Sequence, residues 1–178
     1  WRWGGASCWW LHHSLAALGG QAPLVLRKGK ADVVLAALLR ETKAAGVYFT
    51  RDYAPWSGTL EQRVKEACAA AGASCHRYGG FLLHEPESVR TGAGGSFKVY
   101  TPFSRACFGK GEPRGAKGKV AVTWATHGLA CPALNSLQLL PTRPNWATGF
   151  EPVWQPGESG AKLRLVRFLE DGLKGYAE

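Results

Sequence analysis

The chain has 178 residues, 46% of them hydrophobic and 20% charged, a composition typical of a folded globular domain. No apolar run approaches the roughly 18 residues that a membrane-spanning helix needs, and the opening WRWGGASCWW has no signal-peptide pattern. An excess of 22 Lys and Arg over 13 Asp and Glu gives a net charge of +9, which fits either a polyanionic partner such as DNA or a basic, solvated surface.

Helical and extended segments alternate over the first half of the chain. Leucines at helical spacing follow Ser7, and short apolar runs without alternation separate the helical segments, as in parallel strands that are buried on both faces. The predicted elements are helix 7–18, strand 23–27, helix 30–46, strand 47–49, helix 58–72 and strand 74–78. This order predicts an α/β fold, a Rossmann-like parallel sheet with crossover helices, up to about residue 108.

The character of the chain changes after residue 108. Residues 109–119 are rich in Gly and Lys, which predicts a solvated linker whose basic side chains bind DNA without sequence preference; these are Lys110, Arg114, Lys117 and Lys119. Residues 120–125 are either a short strand or an extended segment, and residues 131–156 hold five prolines with little periodicity. A helix is predicted over 157–178, where Val166, Leu169, Leu173 and Tyr176 form one apolar stripe.

Motifs for metal, phosphate or hydrolytic chemistry are not supported. The five cysteines lack CxxC spacing and are interpreted as reduced, mostly buried thiols in a cytoplasmic protein. The adjacent His12 and His13 point in different directions on a helix, so packing or surface roles are favoured over joint chelation. GAGGSF has Phe97 where a dinucleotide fingerprint needs its third glycine.

Three stretches, taken in order, resemble the photolyase/cryptochrome family. They are WWLHHSLAAL, EPESVRTGAGGSFKVYTPFSRAC and WQPGESGAKLRLVRFLEDGLKGYAE. They look most like bacterial class I cyclobutane pyrimidine dimer (deoxyribodipyrimidine) photolyases. The stretch KVYTPF is typical of the corner that closes the family's sheet domain, with Pro102 suited to the first turn of the next helix.

The resemblance implies a domain organisation for the chain. Residues 1–108 correspond to the photolyase-type α/β (antenna) domain, residues 109–157 to the interdomain linker and residues 158–178 to the start of the FAD-binding helical domain. The family's opening strand has no counterpart before Trp1, so we expect an α/β domain that is incomplete at its N-terminus. We also expect most of the helical domain to lie beyond Glu178.

The resemblance also implies a function. In this family, reduced FAD excited by blue or near-UV light donates an electron to a pyrimidine dimer that is flipped out of DNA, and the dimer splits. We therefore expect a light-dependent DNA repair enzyme, cytoplasmic and monomeric at full length, with dimer-containing DNA as its partner and no membrane. The alternatives are a cryptochrome-type blue-light photoreceptor and a free-standing nucleotide-binding α/β module. The 178-residue chain by itself is expected to be inactive.

Few cofactor residues carry over from the family. Tyr176 matches the tyrosine that contacts FAD near the start of the helical domain, although it is also the last member of an apolar stripe. Trp56 and Ser57 stand where folate-binding members carry Asn and Glu against the pterin of an antenna chromophore. The loss of that carboxylate leaves the identity of the antenna open, and Trp56 either stacks on another flat chromophore or covers the end of the sheet.

Overall fold

The computed structural model describes residues 3–113, 115, 118, 120–125 and 128–176. Its helices are α1 (Gly5–Gly19), α2 (Ala31–Thr42), α3 (Ser57–Ala70), α4 (Tyr100–Phe108) and α5 (Glu158–Arg167), and its strands are β1 (Gly46–Thr50) and β2 (Ser74–Tyr78). Of the linker cations, Arg114, Lys117 and Lys119 lie outside the described residues. No helix in the described ranges is both long and apolar enough to cross a bilayer.

The chain divides into two compact units. One unit is continuous, Gly29–Val122, and the other combines Trp1–Lys28 with Thr123–Glu178. The domain boundaries implied by the family resemblance, at residues 108 and 157, stay predictions.

The continuous unit is an α/β layer. Strands β1 and β2 are parallel, with Val47 opposite Cys75 and Tyr48 opposite His76. Helix α3 connects them and packs against α2, as expected for a β–α–β crossover. The predicted α/β class and both of these strands are confirmed.

The two faces of the sheet differ. Arg77 pairs with Glu61 of α3 at 2.9 Å, which places the odd-numbered residues of β2 on the helix-covered face. On the other face, the Tyr48 ring stacks on His76 with centroids 4.7 Å apart and lies 6.4 Å from the Tyr78 ring. This aromatic face is exposed within the unit.

The strand predicted over Pro23–Arg27 was wrong. No described backbone forms a ladder with this segment, and a strand exists only when another strand pairs with it. Its polar groups bond instead to residues more than 100 positions away: the Leu26 N–H donates to Cys131 Sγ at 3.1 Å, and the Arg27 guanidinium donates to the Ala130 carbonyl.

The core of the discontinuous unit is aromatic. Trp9 of α1 is buried, with its ring 4.4 Å from His13 and 5.2 Å, edge-on, from Phe150. The packing interpretation of the histidine pair fits this arrangement, because His12 is only 8% exposed.

The last predicted helix is shorter than expected. Regular α-helix ends at Arg167, and Phe168–Gly172 continues as a π-turn in which the Leu173 N–H bonds the Phe168 carbonyl at 2.7 Å. Gly172 and Gly175 weaken the helix in this region, since glycine loses more backbone entropy than other residues do.

Candidate functional site

The candidate site lies where β1 and β2 end, in the continuous unit. The carboxyl ends of adjacent parallel strands form the usual ligand crevice of α/β sheets. Residues 51–57 follow β1 and residues 79–89 follow β2. The Arg51 N–H donates to the Tyr78 carbonyl at 2.7 Å, which extends the strand pairing by one bond.

Arg51 is the centre of a charged network at this edge. Its guanidinium bonds Glu87 through both terminal nitrogens at 2.7 Å and reaches Glu85 at 3.1 Å. These bonds hold the pKa of Glu87 at about 2 and raise the pKa of Arg51. The guanidinium also lies 4.8 Å from the centre of the Tyr53 ring.

Tyr53 completes the network. Its hydroxyl donates to Glu85 at 2.7 Å, and that bond is the main cause of the raised pKa of Tyr53. Gly79 makes room for the same carboxylate, because a Cβ at this position would overlap the Glu85 side chain. The network therefore links the end of β1 to the turn around Pro86–Ser88. Both carboxylates are bonded to side chains of the protein itself.

Asp52 organises the start of α3. Its carboxylate accepts the Ser57 hydroxyl at 2.5 Å and the Tyr53 N–H at 2.8 Å, and the bond from Ser57 is the main reason that the pKa of Asp52 is lowered. The Asp52–Ser57 pair thus fixes the tight turn between β1 and the helix.

The two antenna candidates, Trp56 and Ser57, have different environments. Ser57 is 4% exposed and its hydroxyl is engaged by Asp52, so this geometry gives it a structural role. Trp56 is 61% exposed and presents a flat aromatic surface at the sheet end. Of the two, Trp56 is the residue able to stack on a planar ligand.

Tyr176, the FAD candidate, belongs to the discontinuous unit. It is 77% exposed, and its ring meets Phe168 edge-on at 5.6 Å. The phenol can donate or accept a hydrogen bond.

A large groove lies in the continuous unit, lined by apolar residues of the KVYTPF corner. It has a volume of about 1020 Å³, and its wall includes Phe97, Tyr100 and Phe103 together with Phe81 and Leu83. The KVYTPF stretch is typical of a family corner, but its sequence did not predict a groove. The network of Arg51, Tyr53, Glu85 and Glu87 was not predicted either, although the RDY that directly follows β1 and the EPE in the segment between β2 and α4 were visible signals.

Residues 1–119 match the family model described as DNA photolyase. The chain is 40% identical, over 183 aligned residues, to a deoxyribodipyrimidine photo-lyase of Agrobacterium fabrum, an alignment that covers 98% of this chain and 38% of that relative. The chain is also 29% identical over 110 residues to cryptochrome-1 of Arabidopsis thaliana, covering 58% of this chain and 16% of the relative.

A solved structure agrees with the sequence match. The fold aligns to a bacterial class III photolyase from Agrobacterium tumefaciens with a TM-score of 0.87 and 39% identity, over 98% of this chain and 37% of that one. The chain therefore spans less than two fifths of the length of these two Agrobacterium proteins.

Proposed function

Since the chain belongs to the DNA photolyase family, we propose that it forms the α/β portion, the linker and the first helix of a light-dependent DNA repair enzyme that splits cyclobutane pyrimidine dimers. The observation that carries this proposal is the continuous match, through α5, to a protein named for dimer repair. The motifs of the chain resemble class I members, whereas the matched structure is named as class III. The proposal is that the enzyme repairs pyrimidine dimers, and it does not assign the chain to class I or class III.

FAD would be the cofactor of this enzyme, and the residues of this chain would form only part of its binding site. Bound and excited FAD would supply the electron that splits the dimer. Tyr176 exposes a phenol and an aromatic edge suited to one contact with such a cofactor, whereas a flavin site encloses most of the cofactor surface. The remaining contacts would come from a helical domain outside this sequence.

The residues of this chain would position an antenna chromophore rather than react. The Arg51 network fixes the end of β1, Asp52 and Ser57 fix the start of α3, and Trp56 offers its ring to a planar pigment. A carboxylate pair already bonded to Arg51 is poorly placed to bind a pterin, which disfavours a folate as the pigment.

The partner would be DNA that carries pyrimidine dimers. Electrostatic attraction between the basic protein and the DNA phosphates would bring the two together. A net charge of +9 favours sequence-independent contact with phosphates, which weakens as the salt concentration rises. We place the enzyme in the cytoplasm, as a monomer at full length, in keeping with five free cysteines.

The test is a repair assay on the protein that contains this chain together with its FAD-binding domain. DNA with cyclobutane dimers is incubated with the purified protein in blue light and in darkness, and restored pyrimidines are counted. Repair that depends on light supports the proposal. A protein that retains flavin but leaves the dimers intact in light contradicts it and favours the cryptochrome alternative, for which the shorter match to cryptochrome-1 is the specific support.

A further inference from the structure

A polar cavity lies in the discontinuous unit, where α1 packs against the short turn Leu134–Leu137. It has a volume of about 490 Å³, within the size range of small-molecule sites in proteins. Its described lining consists of four polar and two apolar residues: His12, Asn135, Gln138, Thr142, Leu139 and Leu140. These residues lie outside the candidate site at the end of the sheet, and the proposed repair activity does not use them.

His12 is the buried member of this lining. It is 8% exposed, and its Nδ1 atom is enclosed without a hydrogen-bond partner in the part of the chain that the structure describes. Packing accounts for the burial of the ring but leaves its polar atoms unsatisfied. Because buried polar atoms are normally hydrogen-bonded, an unpaired imidazole that lines a cavity indicates a group that a ligand satisfies.

The protonation of His12 suits the role of a hydrogen-bond donor. Burial, with the neighbouring His13 as a smaller cause, lowers the pKa of His12 below its ordinary 6.5, so the ring is neutral at pH 7. A buried acceptor without a partner is tolerated more often than a buried N–H without one, which places the proton on Nε2. Since Nδ1 is enclosed, Nε2 is the nitrogen available to a molecule in the cavity.

The other polar side chains of the lining are also available. Within the described ranges, the side chains of Asn135, Gln138 and Thr142 bond no other protein group, and all three residues are exposed. Each carboxamide carries a donor and an acceptor side by side, and the hydroxyl can act as either. Of the described residues that line the cavity, none carries a formal charge at pH 7, so the lining offers no partner for a phosphate or a carboxylate.

We propose that this cavity binds the uncharged base of a purine nucleoside. A carboxamide pairs through two hydrogen bonds with the amino group and N7 of adenine, and the cavity supplies two carboxamides, on Asn135 and Gln138. Leu139 and Leu140 offer apolar contact to the flat faces of the base, and His12 donates to a remaining ring nitrogen. The uncharged lining favours a nucleoside over a nucleotide.

Adenosine is the probe for the test. The protein that contains this chain together with its FAD-binding domain is saturated with FAD and titrated with adenosine in a calorimeter, in darkness. We expect one adenosine to bind per chain without release of flavin, and we expect no binding of ribose, which lacks the base. Because neither light nor DNA is present, the result does not depend on whether the enzyme repairs dimers.

Asn135→Ala is the decisive variant, because Asn135 is exposed and its side chain can be removed without loss of packing. It should raise the dissociation constant of adenosine by about 5- to 150-fold, the effect of losing one bidentate pair between an amide and adenine. His12→Leu should weaken binding more than His12→Gln, which keeps an amide nitrogen near the position of Nε2. The matched control is Ser136→Ala in the same turn, whose hydroxyl already donates to the Ala133 carbonyl at 2.7 Å.

The proposal is overturned if the FAD-saturated wild-type protein binds no adenosine. It is equally overturned if Asn135→Ala binds adenosine as tightly as Ser136→Ala does, or if adenosine displaces the flavin, since the nucleoside then occupies another site. The wild-type and Asn135→Ala measurements decide the matter even where a variant at the buried His12 does not fold.

Discussion

Arg51 and Glu87 face each other in a two-pronged ion pair, with both guanidinium–carboxylate contacts at 2.7 Å. The pair joins the first residue after β1 to the turn that follows β2, so it links two segments that sequence separates by 36 positions. Planar, bidentate geometry of this kind is specific to arginine.

Glu87→Gln should lower the melting temperature at pH 7 by a few degrees and weaken its dependence on acid. The Arg51 bond depresses the pKa of Glu87 from 4.5 to about 2, so its contribution is complete above pH 4.5 and is lost as the pH falls through about 2. Thermal unfolding followed between pH 2 and 7 measures both effects. Glu158→Gln, which removes an exposed pair with Lys162, is the matched control and should change little. Equal pH profiles for the two variants would refute the assignment.

His12 should make the protein less stable in mild acid. Burial, with the neighbouring His13 as a smaller cause, lowers the pKa of His12 below its ordinary 6.5. The unfolded chain therefore binds the proton more readily, and stability is lost as the pH falls from 6.5 toward the folded-state pKa. Urea midpoints measured from pH 7.5 to 5 should decline in wild type and flatten in His12→Gln. The exposed His76→Gln should keep the wild-type slope; if it flattens the slope as well, His12 is not the responsible group.

Gly72→Ala should destabilise the protein by about 1–2 kcal/mol, the cost of holding an L-residue in the left-handed region. The position has a φ of +67° with open space around it, so backbone strain alone is tested. Gly72→Asn should lose less, because asparagine tolerates this region. Gly58→Ala, in the first turn of α3 and also in open space, is expected to stabilise by about 0.4–1 kcal/mol. Urea unfolding of the three variants checks the order, and a Gly72→Ala protein as stable as wild type would show that the turn is not rigid.

Tyr176→Ala should weaken flavin retention in the protein that includes the FAD-binding domain, because it removes an exposed aromatic contact. The comparison variant is Tyr176→Phe, which preserves the edge-on packing against Phe168 and removes only the hydroxyl. The 178-residue chain expressed alone should retain no flavin and repair no dimers. Flavin absorbance after desalting gives the readout, and flavin bound to the chain alone would overturn the assigned domain organisation.

The hydrophobic pattern of the sequence was sufficient to predict α3 and β1. Leu60, Val64 and Cys68 at helical spacing indicate α3, and the short run at Val47–Phe49 indicates β1. Pro23–Arg27 has the same apolar character as β1 and is not a strand, because pairing depends on which backbone lies beside it and not on composition. The family resemblance, carried by KVYTPF and the final helical segment, predicted the domain organisation, the cofactor and the function. Hydrophobic periodicity alone predicts none of these.

The candidate site was less accessible to sequence reasoning. Trp56 and Ser57 were chosen by alignment to a family motif, but the hydroxyl of Ser57 turns inward to Asp52. The Arg51 network depends on residues 85–87 returning to the end of β1, a tertiary relationship that no local pattern encodes. Its charges were visible in the sequence, while their pairing was not.

The bond between the Leu26 N–H and Cys131 Sγ has a consequence for the order of folding during synthesis. The unit that contains α1 is completed only by residues made after Thr123, whereas Gly29–Val122 is continuous along the chain. At a translation rate of roughly 5–20 residues per second, Phe150 is synthesised on the order of ten seconds after α1. During that interval the aromatic surface around Trp9 lacks Phe150, and the ribosome-bound chain exposes it to chaperones. Helix α1 is thus synthesised well before the residues that complete its native environment.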